Sequence, residues 1–212
     1  MQEHHLPVSR TARHFSLGAL EGARDVWIVC HGYGQLAARF LERFHALESG
    51  HRCVVAPEAL SRFYLTENAS ERRVGASWMT REERLHEIDD YVRYLDALHK
   101  AVVPRGAKVT ALGFSQGAAT VCRWVAMGSA HVDRLIVWGG EIPPDLDLSL
   151  DKAAARLRAV QLTLVYGTRD QFFTPKIVAA TESRLQEHEI RYELVPFEGG
   201  HEIDEATLTA IS

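Results

Sequence analysis

The sequence has little to staple it and little net charge. It contains three cysteines, Cys30, Cys53 and Cys122. An odd number, each inside an apolar segment, argues against a disulfide framework and predicts buried, reduced thiols in a cytoplasmic protein. No Cys or His pair has ligand spacing, so no metal site is expected, and His4-His5 reads as a polar chain end. The charges nearly balance. Twenty-four Lys and Arg against 28 Asp and Glu leave a formal net charge of -4, which argues against a nucleic-acid partner held by phosphate neutralisation. No apolar run approaches the roughly 18 residues of a membrane span. The start, Met1-Gln2-Glu3-His4-His5-Leu6-Pro7, has neither the basic nor the apolar part of a secretion signal. Internal repeats, linkers and low-complexity stretches are also missing. The 212 residues therefore read as one domain, 1–212, large enough for a substantial core.

What is present is alternation. Short apolar runs read as strands over Asp25–Cys30, Arg52–Ala56, Val132–Trp138, Gln161–Tyr166 and Arg191–Pro196, with a weaker edge strand in Thr11–Leu17. Runs with helical spacing separate them. Leu36–Glu48 places Leu36, Phe40, Leu41, Phe44 and Leu47 on one side. Thr80-Arg81-Glu82-Glu83 reads as a capping box opening a helix to about Val102, with Leu85, Ile88, Val92, Leu95 and Leu98 facing inward. Asp151–Leu157, Pro175–His188 and Asp204–Ile211 complete the helices. Pro57 to Thr80 has no clear period and reads as a long functional loop. Strand and helix in turn predict an α/β fold, a mostly parallel central sheet flanked by helices on both faces. No stretch is long enough for a large cap domain, so an open site is expected.

The chain is organised around Lys108–Ala119. An apolar strand (Val109, Ala111, Leu112) leads into Gly113-Phe114-Ser115-Gln116-Gly117, and a helix follows with Ala118, Val121, Cys122 and Val125 on one face. This is the G-x-S-x-G pattern of a sharp strand-to-helix turn. Such a turn strains the serine backbone and brings strand and helix too close for a Cβ at either glycine. It also sets Ser115 at a helix N-terminus, where the next N–H, from Gln116, faces negative charge forming on a substrate oxygen.

Active sites of parallel sheets form at the carboxyl ends of the strands. Three such ends carry Ser115, Asp170 and His201, in that order. A serine hydroxyl needs a base, and the base needs an orienting carboxylate. His201 follows the last strand on Gly199-Gly200, a loop flexible enough to fold back over the sheet. Glu198, Glu202 and Asp204 compete with Asp170 but are poorly placed to reach across from the base. His31, beside glycines after an early strand, suits a loop-shaping role better than that of a base. The loop His31-Gly32-Tyr33-Gly34 should supply the second oxyanion donor, and the Tyr33 N–H is the candidate, partnering that of Gln116.

Together these segments, with Gly167-Thr168-Arg169-Asp170 and Gly199-Gly200-His201-Glu202, resemble the phospholipase/carboxylesterase family of α/β-hydrolases, which includes bacterial carboxylesterases and acyl-protein thioesterases. The resemblance covers about residues 25 to 203. It implies Ser115, Asp170 and His201 as catalytic triad, the Tyr33 and Gln116 amides as oxyanion hole, hydrolysis of esters or thioesters, and no cofactor. It also makes a homodimer an expectation. The sequence departs from the family at Gln35, where an acid is usual, at Ala118, where a second glycine often follows, at Pro175, which comes late, and over Val74–Thr80.

Phe63, Tyr64, Leu65, Trp78, Met79, Phe172 and Phe173 lie in or beside loops and are the substrate-lining candidates, as a group an apolar slot. Arg62, Arg72, Arg73 and Arg81 share the region, either as a solvated face or as an attraction for an anionic substrate. The leading reading is a serine esterase acting on small- to medium-chain esters through an acyl-enzyme. A thioesterase with the same machinery is the alternative. A non-catalytic binding protein on the same fold is the third reading, and its signature, a broken triad, is not in the sequence.

Overall fold

Runs that are apolar at every position become strands buried on both faces. The computed structural model describes residues 1–66 and 72–212; the polar stretch 67–71 of the long loop lies outside the described residues. In chain order the elements are β1 (His14–Leu17), β2 (Asp25–Cys30), α1 (Ala37–Leu41) running into a 3-10 helix (Glu42–Leu47), β3 (Arg52–Pro57), β4 (Ser61–Tyr64) and β5 (Val74–Ser77). Then come α2 (Arg84–Val102), β6 (Lys108–Phe114), α3 (Gln116–Met127), β7 (Arg134–Trp138), α4 (Asp151–Arg158), β8 (Gln161–Gly167), α5 (Pro175–Glu187), β9 (Tyr192–Phe197) and α6 (Glu205–Ala210).

Seven strands form one sheet in the order β1-β3-β2-β6-β7-β8-β9. β1 runs antiparallel to β3, and the other neighbours are parallel. The chain winds outward from β2 to β3, then returns to lay β6 on the other side of β2. The direction of winding therefore reverses between β2 and β6, the place where such sheets open a crevice at their carboxyl ends. Alternate residues of each strand feed two cores. Val26, Ile28 and Cys30 pack with Ile88, Leu95, Val121 and Trp124 of α2 and α3. Trp27 and Val29 pack with Phe40 and Phe44 from the α1 side and Leu208 of α6. All three cysteines are free and buried, and burial pushes the Cys122 thiol up to about 12. No helix among the described residues is long and apolar enough to cross a membrane.

Several local expectations need correcting. The segment after Pro57 is not irregular throughout, because β4 and β5 pair antiparallel, with Arg62 opposite Ala76. Glu83 does not complete a capping box. It sits at φ 49 just before the helix, and Glu87 instead accepts from the Thr80 hydroxyl at 3.2 Å. Leu85 falls in the first turn of α2 and is exposed, so the buried face begins at Ile88. His5 is not a loose end, since its Nε2 lies 2.8 Å from Glu83 Oε2.

Glu58, just after β3, is a buried carboxylate that ties the β1 side to the start of α1. It accepts from Arg13 Nε at 2.6 Å, from Arg62 Nη1 at 3.1 Å and from the Ala37 N–H at 3.4 Å. Burial alone would push its pKa up, but the two guanidinium groups hold it below the usual 4.5. A folded value below the unfolded one stabilises the fold above about pH 4.5, and that contribution is lost as pH falls through the folded value. Glu58→Gln is expected to lower the unfolding free energy by about 2 kcal/mol at pH 7 and by less at pH 3. Urea titrations at both pH values check this; an equal loss at both would remove the charge from the account.

Candidate active site

Ser115 sits between β6 and α3 at φ 55 and ψ -117, a backbone region that L-residues avoid. The packing forces it there. A Cβ at Gly113 would collide with the Gly117 carbonyl, and one at Gly117 with the Cys30 carbonyl. Strand, elbow and helix are thus pressed together at the β2–β6 boundary, as the two glycines predict. The Ser115 N–H donates to the Trp138 carbonyl at 2.9 Å, and its own carbonyl accepts from the Ala118 N–H at 3.0 Å. With its backbone groups engaged, the half-buried side chain stands at the head of α3.

His201 and Asp170 are brought together. His201 Nδ1 lies 2.7 Å from Asp170 Oδ2. The other carboxylate oxygen, Oδ1, accepts from the Phe172 and Phe173 amides at 2.8 and 3.0 Å. Burial would raise the Asp170 pKa, but those two amides and the imidazole hold it below the usual carboxylate value. Asp170 is therefore an anion whose two oxygens have separate tasks, one fixing its own loop and the other the His201 ring.

The loop carrying His201 is pinned, contrary to the expected flexibility. The Thr168 and Arg169 amides donate to the Phe197 and Gly199 carbonyls at 2.8 and 2.9 Å, and a Cβ at Gly167 would strike the Gly199 and Gly200 carbonyls. Trp138 adds an anchor by donating from Nε1 to the Glu202 carbonyl at 2.8 Å. The His201 ring rests between Phe114 and Phe172, at centroid distances of 4.8 and 4.9 Å. Gly139 and Gly140, after β7, connect the two halves of the site. A Cβ on Gly139 would come 3.3 Å from the His201 ring, and one on Gly140 would come 2.8 Å from the Ser115 carbonyl. Two glycines directly after a buried strand are the sequence feature that leaves room for this contact.

The competing acids have other work. Asp204 caps α6 through the Thr207 N–H at 2.8 Å, Glu202 accepts from the Gly200 N–H at 3.2 Å, and exposed Glu198 lies near Arg169. His31 is a buried loop former. Its Nε2 accepts from the Ala59 N–H at 3.1 Å, its Nδ1 faces the Gly32 carbonyl at 2.8 Å, and burial lowers its pKa. The loop after it is held by two devices the sequence reading missed. Gln35 Oε1 accepts from the Gly32 N–H at 2.8 Å, and the Gly34 N–H donates to the Ala76 carbonyl of β5 at 2.9 Å. Gln35, which replaces the family's usual acid, thus closes the turn on which Tyr33 sits. The Gln116 side chain does similar work, accepting from the Trp78 N–H at 3.1 Å and donating to the Met79 carbonyl at 2.8 Å.

The aromatic candidates divide. Trp78 is a core residue, 2% exposed, with its indole N–H donating to the His31 carbonyl at 2.9 Å; an amphipathic ring with a carbonyl within reach is buried rather than left facing a site. Met79 packs against the same core, its sulfur 3.6 Å from Arg123 Nη1. Phe173 is buried against Tyr166. Phe172 is exposed beside His201. Phe63 lies against Tyr33 at 5.2 Å, and Tyr64 lies under Arg72. Leu65 lines a cavity of about 350 Å³ that begins at His201 and Phe114. Arg73 lines it too, joined by Arg39 and Arg43, whereas Arg62 is committed to Glu58. Among the described residues, the side chains whose donor atoms converge as a cation would need are His5, Glu83 and His86. They are exposed, and none lines that cavity.

Comparison with curated proteins finds no match. Among solved structures, acyl-protein thioesterase 2 of Zea mays superposes with a TM-score of 0.75 at 15% identity, over 95% of this chain and 96% of that one. Esterase PE8 superposes at 0.67 and 21% identity, over 95% and 98%, and SOBER1 of Arabidopsis thaliana at 0.68 and 19%, over 89% and 96%. Identities this low speak for a common fold. The profile of the phospholipase/carboxylesterase family matches residues 19–212. With that match over nearly its whole length, the chain belongs to the phospholipase/carboxylesterase family, α/β-hydrolases that act on ester bonds.

Proposed function

We propose that the chain is a serine esterase cleaving small- to medium-chain carboxylic esters through an acyl-enzyme, with Ser115 as nucleophile, His201 as base and Asp170 as its orienter. The reading is supported above all by the 2.7 Å pair between His201 and Asp170, together with a serine held at positive φ at the head of α3. With Nδ1–H committed to Asp170, the Nε2 lone pair takes the Ser115 proton as Oγ attacks the carbonyl. The Gln116 amide at the head of α3 and the Tyr33 amide in the loop after β2 hold the oxyanion. Collapse of that intermediate expels the alcohol, protonated by His201. Water, deprotonated by the same base, then releases the acid. The three buried thiols support a reducing, cytoplasmic setting.

The test is labelling by a fluorophosphonate probe and turnover of p-nitrophenyl acetate, butyrate and octanoate. Labelling mapped to Ser115 and turnover of at least the shorter esters are expected. A thioester with the butyryl chain, run beside the oxygen ester, measures which leaving group is preferred. An unlabelled Ser115 with no turnover overturns the reading.

A further inference from the structure

The cavity lined in part by His201 has both apolar and basic side chains around it. Phe114, Phe40, Leu36 and Leu65 form apolar lining, and Arg39, Arg43 and Arg73 line the same space. Arg39 of α1 and Arg43 of the 3-10 helix that continues it both line this one cavity. None of the three arginines forms an ion pair with a carboxylate among the described residues, whereas Arg13, Arg52 and Arg123 each have one. Among the described residues, the acid lining the cavity is Glu202, whose Oε1 is engaged by the Gly200 N–H at 3.2 Å. Among the described residues, three cations and one anion thus give the cavity lining a positive balance, in a chain whose overall charge is -4. A concave site with one sign of charge concentrates ligands of the other sign, and guanidinium groups match carboxylate and phosphate oxygens in shape.

The geometry points to an ester substrate that carries an anionic group, a carboxylate or a phosphate, separated from the scissile carbonyl by an apolar spacer. The carbonyl sits at Ser115, the spacer lies over Phe114 and its apolar neighbours, and the anion meets Arg39, Arg43 and Arg73. This rests on the serine-esterase reading and narrows its substrate class. It also changes the expectation drawn from Arg62, Arg72, Arg73 and Arg81: of those four, only Arg73 lines the cavity.

Matched ester pairs test it at low ionic strength. On the acyl side, mono-p-nitrophenyl adipate and suberate are compared with p-nitrophenyl hexanoate and octanoate, of equal acyl length. On the alcohol side, the butyrate esters of 4-hydroxybenzoate and of 4-hydroxyphenyl phosphate are compared with that of 4-hydroxybenzamide. These arms locate the anion and separate carboxylate from phosphate. In at least one arm, kcat/KM for the anionic ester is expected to exceed that for its neutral partner by about tenfold, the sum of modest exposed ion pairs. The ratio should fall with added salt and approach one in Arg39→Gln/Arg43→Gln/Arg73→Gln, through KM. Arg105→Gln, an exposed arginine outside the cavity, should keep the wild-type ratio. Neutral esters favoured in every arm, or a ratio insensitive to the triple substitution, overturns the inference while Ser115 labelling keeps the esterase reading. Loss of labelling together with all turnover overturns both.

Discussion

Ser115→Ala is expected to lower kcat for p-nitrophenyl butyrate by about a millionfold, the size of effect seen when a serine nucleophile is removed from a working triad. Ser115→Gly should be as inactive and yet more stable than Ser115→Ala. The reason is the backbone. At φ 55 and ψ -117 any residue with a Cβ is strained, at a cost of about 1–3 kcal/mol, and alanine keeps that cost. Glycine removes it but loses more conformational freedom on folding, about 0.5–1 kcal/mol. The expected difference is therefore about 1 kcal/mol in favour of glycine. The elbow is held by packing so close that a Cβ at Gly117 would strike the Cys30 carbonyl. Urea unfolding of the two variants beside a kinetic assay checks both halves. Turnover above about one percent of wild type in Ser115→Ala would remove Ser115 as nucleophile. Equal stability of the two variants would show that the elbow stores no strain.

The same elbow explains why much of the site is legible in the sequence. Backbone crowding is written in glycine, and a buried parallel strand is written as an unbroken apolar run, so Gly113, Gly117 and the runs ending at Cys30, Phe114 and Tyr166 give strand ends and the loops that follow them. Ser115, Asp170 and His201 are read by position at those ends, and the structure joins the last two at 2.7 Å. Side-chain direction in loops is written nowhere so plainly. Trp78, Met79 and Phe173 look like site lining beside Phe63 and Leu65, but a loop aromatic has no period to tell inside from outside. Their places depend on distant partners: the His31 carbonyl for Trp78, the core between α2 and α3 for Met79, and Tyr166 for Phe173. The β4–β5 pair was missed because each strand has four residues and β5 is fastened partly by the Gly34–Ala76 bond rather than by its own pattern. Arg39 and Arg43 show the same limit from the charged side. On the outer face of an amphipathic segment, a cation that lines a cavity and one that merely faces water have the same spacing.

Asp170→Asn is expected to reduce kcat by about 10⁴-fold with KM little changed, and the hydrogen bonds around the carboxylate dictate how. The Phe172 and Phe173 amides both donate to Oδ1, so the asparagine must present its carbonyl oxygen to them. Its NH₂ group then faces His201 Nδ1. That nitrogen has to accept, its proton moves to Nε2, and the imidazole loses the lone pair that would take the Ser115 proton. The reverse orientation would set NH₂ against two N–H donors and leave both amides unpaired, at about 1–3 kcal/mol for each buried group. The loop geometry therefore selects the unreactive tautomer. Asp170→Ala separates this effect from simple loss of structure, because it leaves the two amides without their acceptor. Its Tm should fall, whereas that of Asp170→Asn should stay close to wild type. In the wild type the carboxyl value is held below the usual 3.8, so Asp170 remains an anion throughout the neutral range and down to about pH 4. Steady-state kinetics and thermal melts of the two variants decide the matter. Asp170→Asn turning over within about tenfold of wild type would return the orienting role to another acid, and equal melting losses in the two variants would reduce Asp170 to a loop former.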